Sequence, residues 1–214
     1  MTIASEKENK MMNRRTWTAT AAAWLALSAT LPTTAFAQET PDALVRRVSA
    51  EVLETIRNDP SLKSGDVARI GALVDKMVMP HVNFQRMTAA AVGPKWRQAT
   101  PEQRQRLQDE FKALLIRTYA GAVAQVNDQT VVVKPMRAAA GDKDVLVRTE
   151  VRGKGDPIQL DYRLEQSADG AWRIYNLNVL GVWLVETYRS QFAQEVNARG
   201  IDGLIQALAS RNKG

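Results

Sequence analysis

His81 is the one histidine in this chain, and there is no cysteine. Any imidazole base or nitrogen metal ligand must therefore be His81, while thiolate nucleophiles, thiolate metal sites and disulfide frameworks are excluded. His81 follows Pro80 directly and precedes an apolar stretch, with no second histidine near it to complete a metal set. No serine stands in a Gly-x-Ser-x-Gly setting that would present its hydroxyl as a nucleophile. The carboxylates are scattered, mostly on polar faces, and no pair has a spacing that singles out an acid and a base. Glycines fall at turns and not in a phosphate-cradling loop between a strand and a helix. A structural or helix-capping role for His81 outweighs a catalytic one. The expectation is a protein that is not an enzyme, with no metal, cofactor or nucleotide site.

The two ends of the chain narrow the setting. Arg14 and Arg15 precede an apolar run from Trp17 to Ala29, and Ala35-Phe36-Ala37 stands ahead of Gln38. That order reads as a secretory signal peptide over residues 1–37, cleaved before Gln38, because the peptidase requires small side chains one and three residues before its cut. The run is interrupted by Thr and Ser and falls short of the ~20 apolar residues that a membrane span needs. Met11 and Met12 lie just ahead of the arginine pair, so the first ten residues are left out of the fold reading. Residues 38–214 are then one exported domain. The formal charge of +6 comes from basic residues interspersed with acids, and export removes the chain from cytoplasmic nucleic acid, so no nucleic-acid partner is expected.

Periodicity assigns the elements. Thr40 ahead of Pro41-Asp42 has the order of a helix cap followed by proline at the first helical position, and Val45, Val48, Val52 and Ile56 recur at helical spacing. A second helical pattern, Ile70, Leu73, Val74, Met77 and Val78, is stopped by Pro80, and a short third helix follows. Thr100-Pro101-Glu102-Gln103 predicts a capping box opening a long helix, with Leu107, Phe111, Leu114, Leu115, Thr118 and Tyr119 on one side. The period then shortens. Residues 129–134, 144–152, 158–165 and 171–178 read as four antiparallel strands joined by glycine-containing turns. Along the second of them Val145, Val147, Thr149 and Val151 alternate with Asp144, Leu146, Arg148 and Glu150, so one face is largely apolar and the other largely charged. Val182 to Gln194 returns to helical spacing, and Gly200 separates it from a last short helix. The expected fold is α+β: a four-stranded antiparallel sheet with helices packed on one face. Periodicity cannot tell a filled core from a sheet and helices held apart by a ligand.

Two stretches carry a resemblance. Pro80-His81-Val82-Asn83-Phe84, Met87, Gly93, Trp96 through Arg104, Leu114-Leu115 and Thr118-Tyr119 make the first. Trp172 through Asn176, Gly181-Val182, Tyr188-Arg189, Phe192 and Gly200 through Leu204 make the second. Together they resemble the MlaC or toluene-tolerance family over nearly the whole of residues 38–214. The sequence departs from the family pattern at Asn83 and Asn176, where Asp is frequent, at Leu180, where an acid is, and at Trp183, where Ser is. The resemblance implies a periplasmic phospholipid carrier that exchanges cargo with an outer-membrane lipoprotein–porin complex and an inner-membrane ABC transporter complex. It also implies an apolar cavity between the helices and the sheet. The residues expected to line it are Val82, Phe84, Met87, Trp96, Tyr119, Val147, Val151, Tyr162, Val182, Val185 and Tyr188, with Val182 placed inward by the Gly181-Val182 motif. The competing readings are a secreted hydrolase using His81 as general base and a periplasmic chaperone with an open apolar groove.

Overall fold

The computed structural model describes residues 39–139 and 141–213; the expected leader and its cleavage site before Gln38 lie outside them. Helix α1 (Pro41–Asn58) begins at a proline whose fixed φ suits the first helical position. The Thr40 hydroxyl makes no cap bond, so the proline and not the threonine marks this start. Helices α2 (Pro60–Lys63) and α3 (Val67–Leu73) each open on an aspartate, Asp59 or Asp66, whose carboxylate accepts backbone N–H groups of the first turn.

The apolar period that runs on to Pro80 does not stay α-helical. Residues Val74–Val78 widen into a π-turn, the Met79 N–H bonding back to the Val74 carbonyl, and Met79–His81 then tighten into a 3-10 turn. Pro80 accounts for the change: it has no N–H to donate, and its ring crowds the carbonyl four residues back. Helix α4 (Phe84–Val92) restarts the chain under an Asn83 cap and ends at Gly93, whose φ of 78° suits a residue without Cβ. A 3-10 turn (Gly93–Gln98) leads to α5 (Pro101–Ala124). Its capping box is reciprocal: Thr100 Oγ1 accepts the Gln103 N–H at 3.2 Å, and Gln103 Oε1 accepts the Thr100 N–H at 3.0 Å.

Strands β1 (Thr130–Val133), β2 (Asp144–Arg152), β3 (Ile158–Gln166) and β4 (Trp172–Val179) form the expected antiparallel meander, but the sheet has five strands, not four. The chain reverses at Leu180-Gly181, and β5 (Val182–Trp183) pairs Val182 with Val179. The apolar residues read as the start of the closing helix thus begin as a strand. Helix α6 (Leu184–Arg211) follows, bent at Gly200, where φ is 69°. Trp183 supplies no side-chain cap; instead Asn176 on β4 accepts the Val185 N–H at 3.2 Å, so the sheet itself caps the helix.

Three apolar clusters hold these elements. Leu44, Val45 and Val48 of α1 pack on Val145, Val147 and Leu164 of the sheet. Phe84, Met87, Phe111, Tyr188 and Phe192 join α4, α5 and α6, with Phe111 edge-on to Tyr188 and Phe192 at ring separations of 4.9 and 5.2 Å. Ile56, Leu62, Ile70, Leu73 and Ala120 tie α1, α2 and α3 to α5.

Candidate functional site

Members of all three clusters border a cavity of about 240 Å³. One wall is α3 with the turns after it (Ile70, Val74, Val78, Met79), and a second is α5 (Lys112, Leu115, Ile116, Tyr119, Val123). The third is the sheet (Tyr162, Ile174, Leu177), closed by Val82, Phe84 and Met87 and by Leu184 at the start of α6. The lining is apolar except for Lys112, Tyr119 and Tyr162. Helix α5 can form a wall because it has two largely apolar faces: Leu107 and Phe111 are fully buried in the helical cluster, while Leu115, Ile116, Tyr119 and Val123, with the charged Lys112 at their head, recur at helical spacing toward the cavity. Thr118, expected on the apolar side, is exposed and returns its hydroxyl to the Leu114 carbonyl at 2.7 Å.

The Pro80–Met87 segment is fixed by polar contacts outside the cavity. Asn83 Oδ1 accepts the Arg86 N–H at 2.9 Å, and its Nδ2 donates to Glu165 Oε1 at 2.6 Å. Arg86 pairs with Glu165 and, at 3.3 Å, with Asp144, while its guanidinium lies 3.5 Å from the centre of the Tyr175 ring. The Tyr175 hydroxyl donates to Asp144. The Asn83 N–H donates to the Ile174 carbonyl at 2.8 Å, so α4 starts rigidly on β4 and its first turn presents Phe84 and Met87 to the cavity. On the sheet side, burial pushes the Tyr162 phenol up to about 12, against the opposing pull of hydrogen bonds with Ser49 and Thr149. Burial, and then proximity to Tyr188, raises Tyr119 as well.

Of the residues named from the sequence, Val82, Phe84, Met87, Tyr119 and Tyr162 border this cavity. The others lie elsewhere. Trp96 sits on the 3-10 turn beneath Arg104 and lines a separate surface cleft with Arg97 and Arg189. Val147 is fully buried against α1 in solid packing, and Val151 pairs with Val131 and Ile158 near the end of the sheet. Val185 and Tyr188 belong to the helical cluster. Val182 is 51% exposed: its placement at the cavity is corrected by β5, which holds it at the sheet edge. The residues the sequence reading passed over are chiefly Val74, Val78, Met79, Lys112 and Ile116. A signal for them existed on α5, whose apolar residues span too wide an arc for one contact face.

His81 is half-buried and makes no side-chain hydrogen bond among the described residues. Burial and the positive charge of Arg47 hold its pKa below the ordinary histidine value. No group of three or more metal-ligating side chains is assembled among the described residues, and no described helix is long and apolar enough to cross a membrane.

A meander sheet and helices that meet around an apolar chamber define a pocket-forming α+β protein shaped for a hydrophobic guest. More narrowly, the chain belongs to the MlaC family: the family pattern described as MlaC protein matches residues 46–210. It is 30% identical over 180 residues to the toluene tolerance protein ttg2D of Pseudomonas putida, covering 83% of each chain. It is 24% identical over 178 residues to the intermembrane phospholipid transport system binding protein MlaC of Haemophilus influenzae, covering 82% of this chain and 83% of that one. Among solved structures, the phospholipid-binding protein from Ralstonia solanacearum in complex with a phospholipid shares 49% identity, with a TM-score of 0.78 over 83% of this chain and 98% of that one.

Proposed function

We propose that this chain is a periplasmic phospholipid shuttle and not an enzyme: a single lipid-binding domain, residues 38–214, exported with cleavage before Gln38. It carries lipid between an outer-membrane lipoprotein–porin complex and an inner-membrane ABC transporter complex, and so maintains outer-membrane lipid asymmetry. The observation that carries this reading is the apolar cavity between α3, α5 and the sheet, in a chain 49% identical to a protein solved with a phospholipid bound.

The physical logic is one of solvent matching. Each methylene moved into water costs about 0.8 kcal/mol, so a two-chain lipid with on the order of 30 methylenes does not cross an aqueous space unaided. A chamber of Val, Leu, Ile, Met and Phe resembles the bilayer interior, which makes transfer from membrane to protein nearly balanced and leaves direction to the partners. At about 240 Å³ the cavity is smaller than the roughly 300–1,000 Å³ of sites that enclose drug-sized ligands, so the walls part as a two-chain lipid enters.

Mass spectrometry of lipid extracted from the purified protein tests the reading. Near-stoichiometric phospholipid is expected, and the same from His81→Ala. An empty protein whose hydrolytic activity depends on His81, or one loaded with heterogeneous peptide, would replace the shuttle with the hydrolase or the chaperone.

A further inference from the structure

Lys112 is the one charged side chain among the residues that line the cavity. Its ammonium lies 2.7 Å from Asp75 Oδ1 on the π-turn. The Lys112 side chain is 27% exposed and that of Asp75 54%. A residue that borders the apolar chamber and also reaches a solvated carboxylate marks the place where the chamber meets water. Among the described residues, this ion pair is the only hydrogen bond or salt bridge joining the π-turn to α5. It therefore crosses the seam between two walls of the cavity.

Stability alone does not account for a lysine at this place. A half-exposed ion pair contributes little, and a leucine or methionine would match the surrounding lining better. The ammonium has three N–H donors, and Asp75 engages one of them. A lipid whose acyl chains occupy the chamber leaves its phosphodiester at the mouth, where the non-bridging oxygens are charge-assisted acceptors that compete with the Asp75 carboxylate for these donors.

We propose that Lys112 binds the phosphate group of the cargo lipid, exchanging Asp75 for the phosphodiester as the lipid enters. The proposal rests on the shuttle reading and adds to it the contact that recognises the head group. The exchange also acts on the wall: while Lys112 holds Asp75 the π-turn is tied to α5, and when it holds phosphate that tie is released. The contact that recognises the lipid thus loosens the seam through which the chamber must widen. π-Turns are concentrated at functional positions of this kind. A lysine, as a compact point charge, reads the phosphate common to glycerophospholipids and not the alcohol beyond it.

The test offers the delipidated protein two lipids with identical acyl chains, dioleoylphosphatidylglycerol and dioleoylglycerol, and counts bound lipid by native mass spectrometry. Lys112→Met is expected to lower uptake of the phospholipid about tenfold, equivalent to ~1.4 kcal/mol, with uptake of the neutral lipid unchanged. Asp75→Asn, which removes the competing carboxylate, is expected to raise phospholipid retention severalfold and to leave the neutral lipid alone. Equal loss of both lipids in Lys112→Met, or no change in either, overturns the proposal. Should Lys112→Met fail to fold, unchanged phospholipid retention in Asp75→Asn overturns it instead. A melting temperature raised by inorganic phosphate alone would make this a free-anion site and also overturn the role in cargo binding. If the unsubstituted protein takes up neither lipid, the shuttle reading itself falls, an outcome distinct from loss of the Lys112 role, in which both lipids are still carried.

Discussion

Leu180 is a leucine with φ 52°, and the residue is 65% exposed. With Gly181 at φ 87° it forms the two central positions of the β4–β5 turn, the pattern of a type I′ hairpin, which favours Asn, Asp or Gly at the first of them. A branched apolar side chain there accepts backbone strain of order 1 kcal/mol and gains little burial in return. Leu180→Asn is expected to stabilise the protein by about 0.5–1 kcal/mol, a rise of roughly 1–4 °C in melting temperature for a domain of this size. An unchanged or lower midpoint in thermal unfolding would show that the leucine contributes packing that its exposure does not reveal. This turn also explains why Val182 was misplaced by sequence reasoning. Gly181-Val182 reads equally well as the entry to a helix, and only the pairing of Val182 with Val179, a contact set by the preceding turn, puts the side chain at an edge.

At the scale of elements, the start of α4 shows what one amide does. Asn83 accepts from Arg86 with its oxygen and donates to Glu165 with its nitrogen; an aspartate could do only the first. Asn83→Asp would set two carboxylates against each other, with Arg86 offsetting part of the repulsion, and is expected to destabilise by about 1–2 kcal/mol at pH 7. The repulsion raises the pKa of the introduced carboxyl in the folded state, so the lost stability returns as pH falls through that raised value toward the ordinary aspartate value of about 4. Urea unfolding at pH 7 and pH 4 reads both values, and an equal penalty at the two would assign the effect to something other than charge. Local signals of this kind were legible. The Thr100–Gln103 box and the alternation of Val145 and Val147 with Asp144 and Arg148 depend on neighbours within a few residues, and the structure has both. The π-turn was not legible, because Val74 and Val78 keep a helical spacing whether the turn has a normal or a widened pitch. Nor was the cap of α6, since Asn176 reaches it from another element.

For the whole molecule, the open question in the sequence was whether its apolar residues fill a core or border a space, and periodicity is the same in both. The structure separates two valines that look alike on paper. Val147 is fully buried against α1 and the sheet in solid packing, whereas Val78 belongs to none of the three clusters and faces the cavity from the π-turn. A tryptophan at each position therefore meets opposite conditions. In Val147→Trp the added ring has no room, and overpacking is expected to lower stability by about 1–3 kcal/mol. In Val78→Trp the ring extends into about 240 Å³ of apolar space, gains contacts and leaves the lipid-free melting temperature unchanged or higher. That same ring occupies volume the acyl chains need, so phospholipid recovered from Val78→Trp should fall at least about tenfold, an affinity change of ~1.4 kcal/mol. Thermal unfolding and lipid mass spectrometry on the two variants decide the matter together. If Val78→Trp is as destabilised as Val147→Trp, the space between α3, α5 and the sheet is not available to a guest. If it folds and still carries a full complement of phospholipid, the acyl chains lie somewhere other than this cavity.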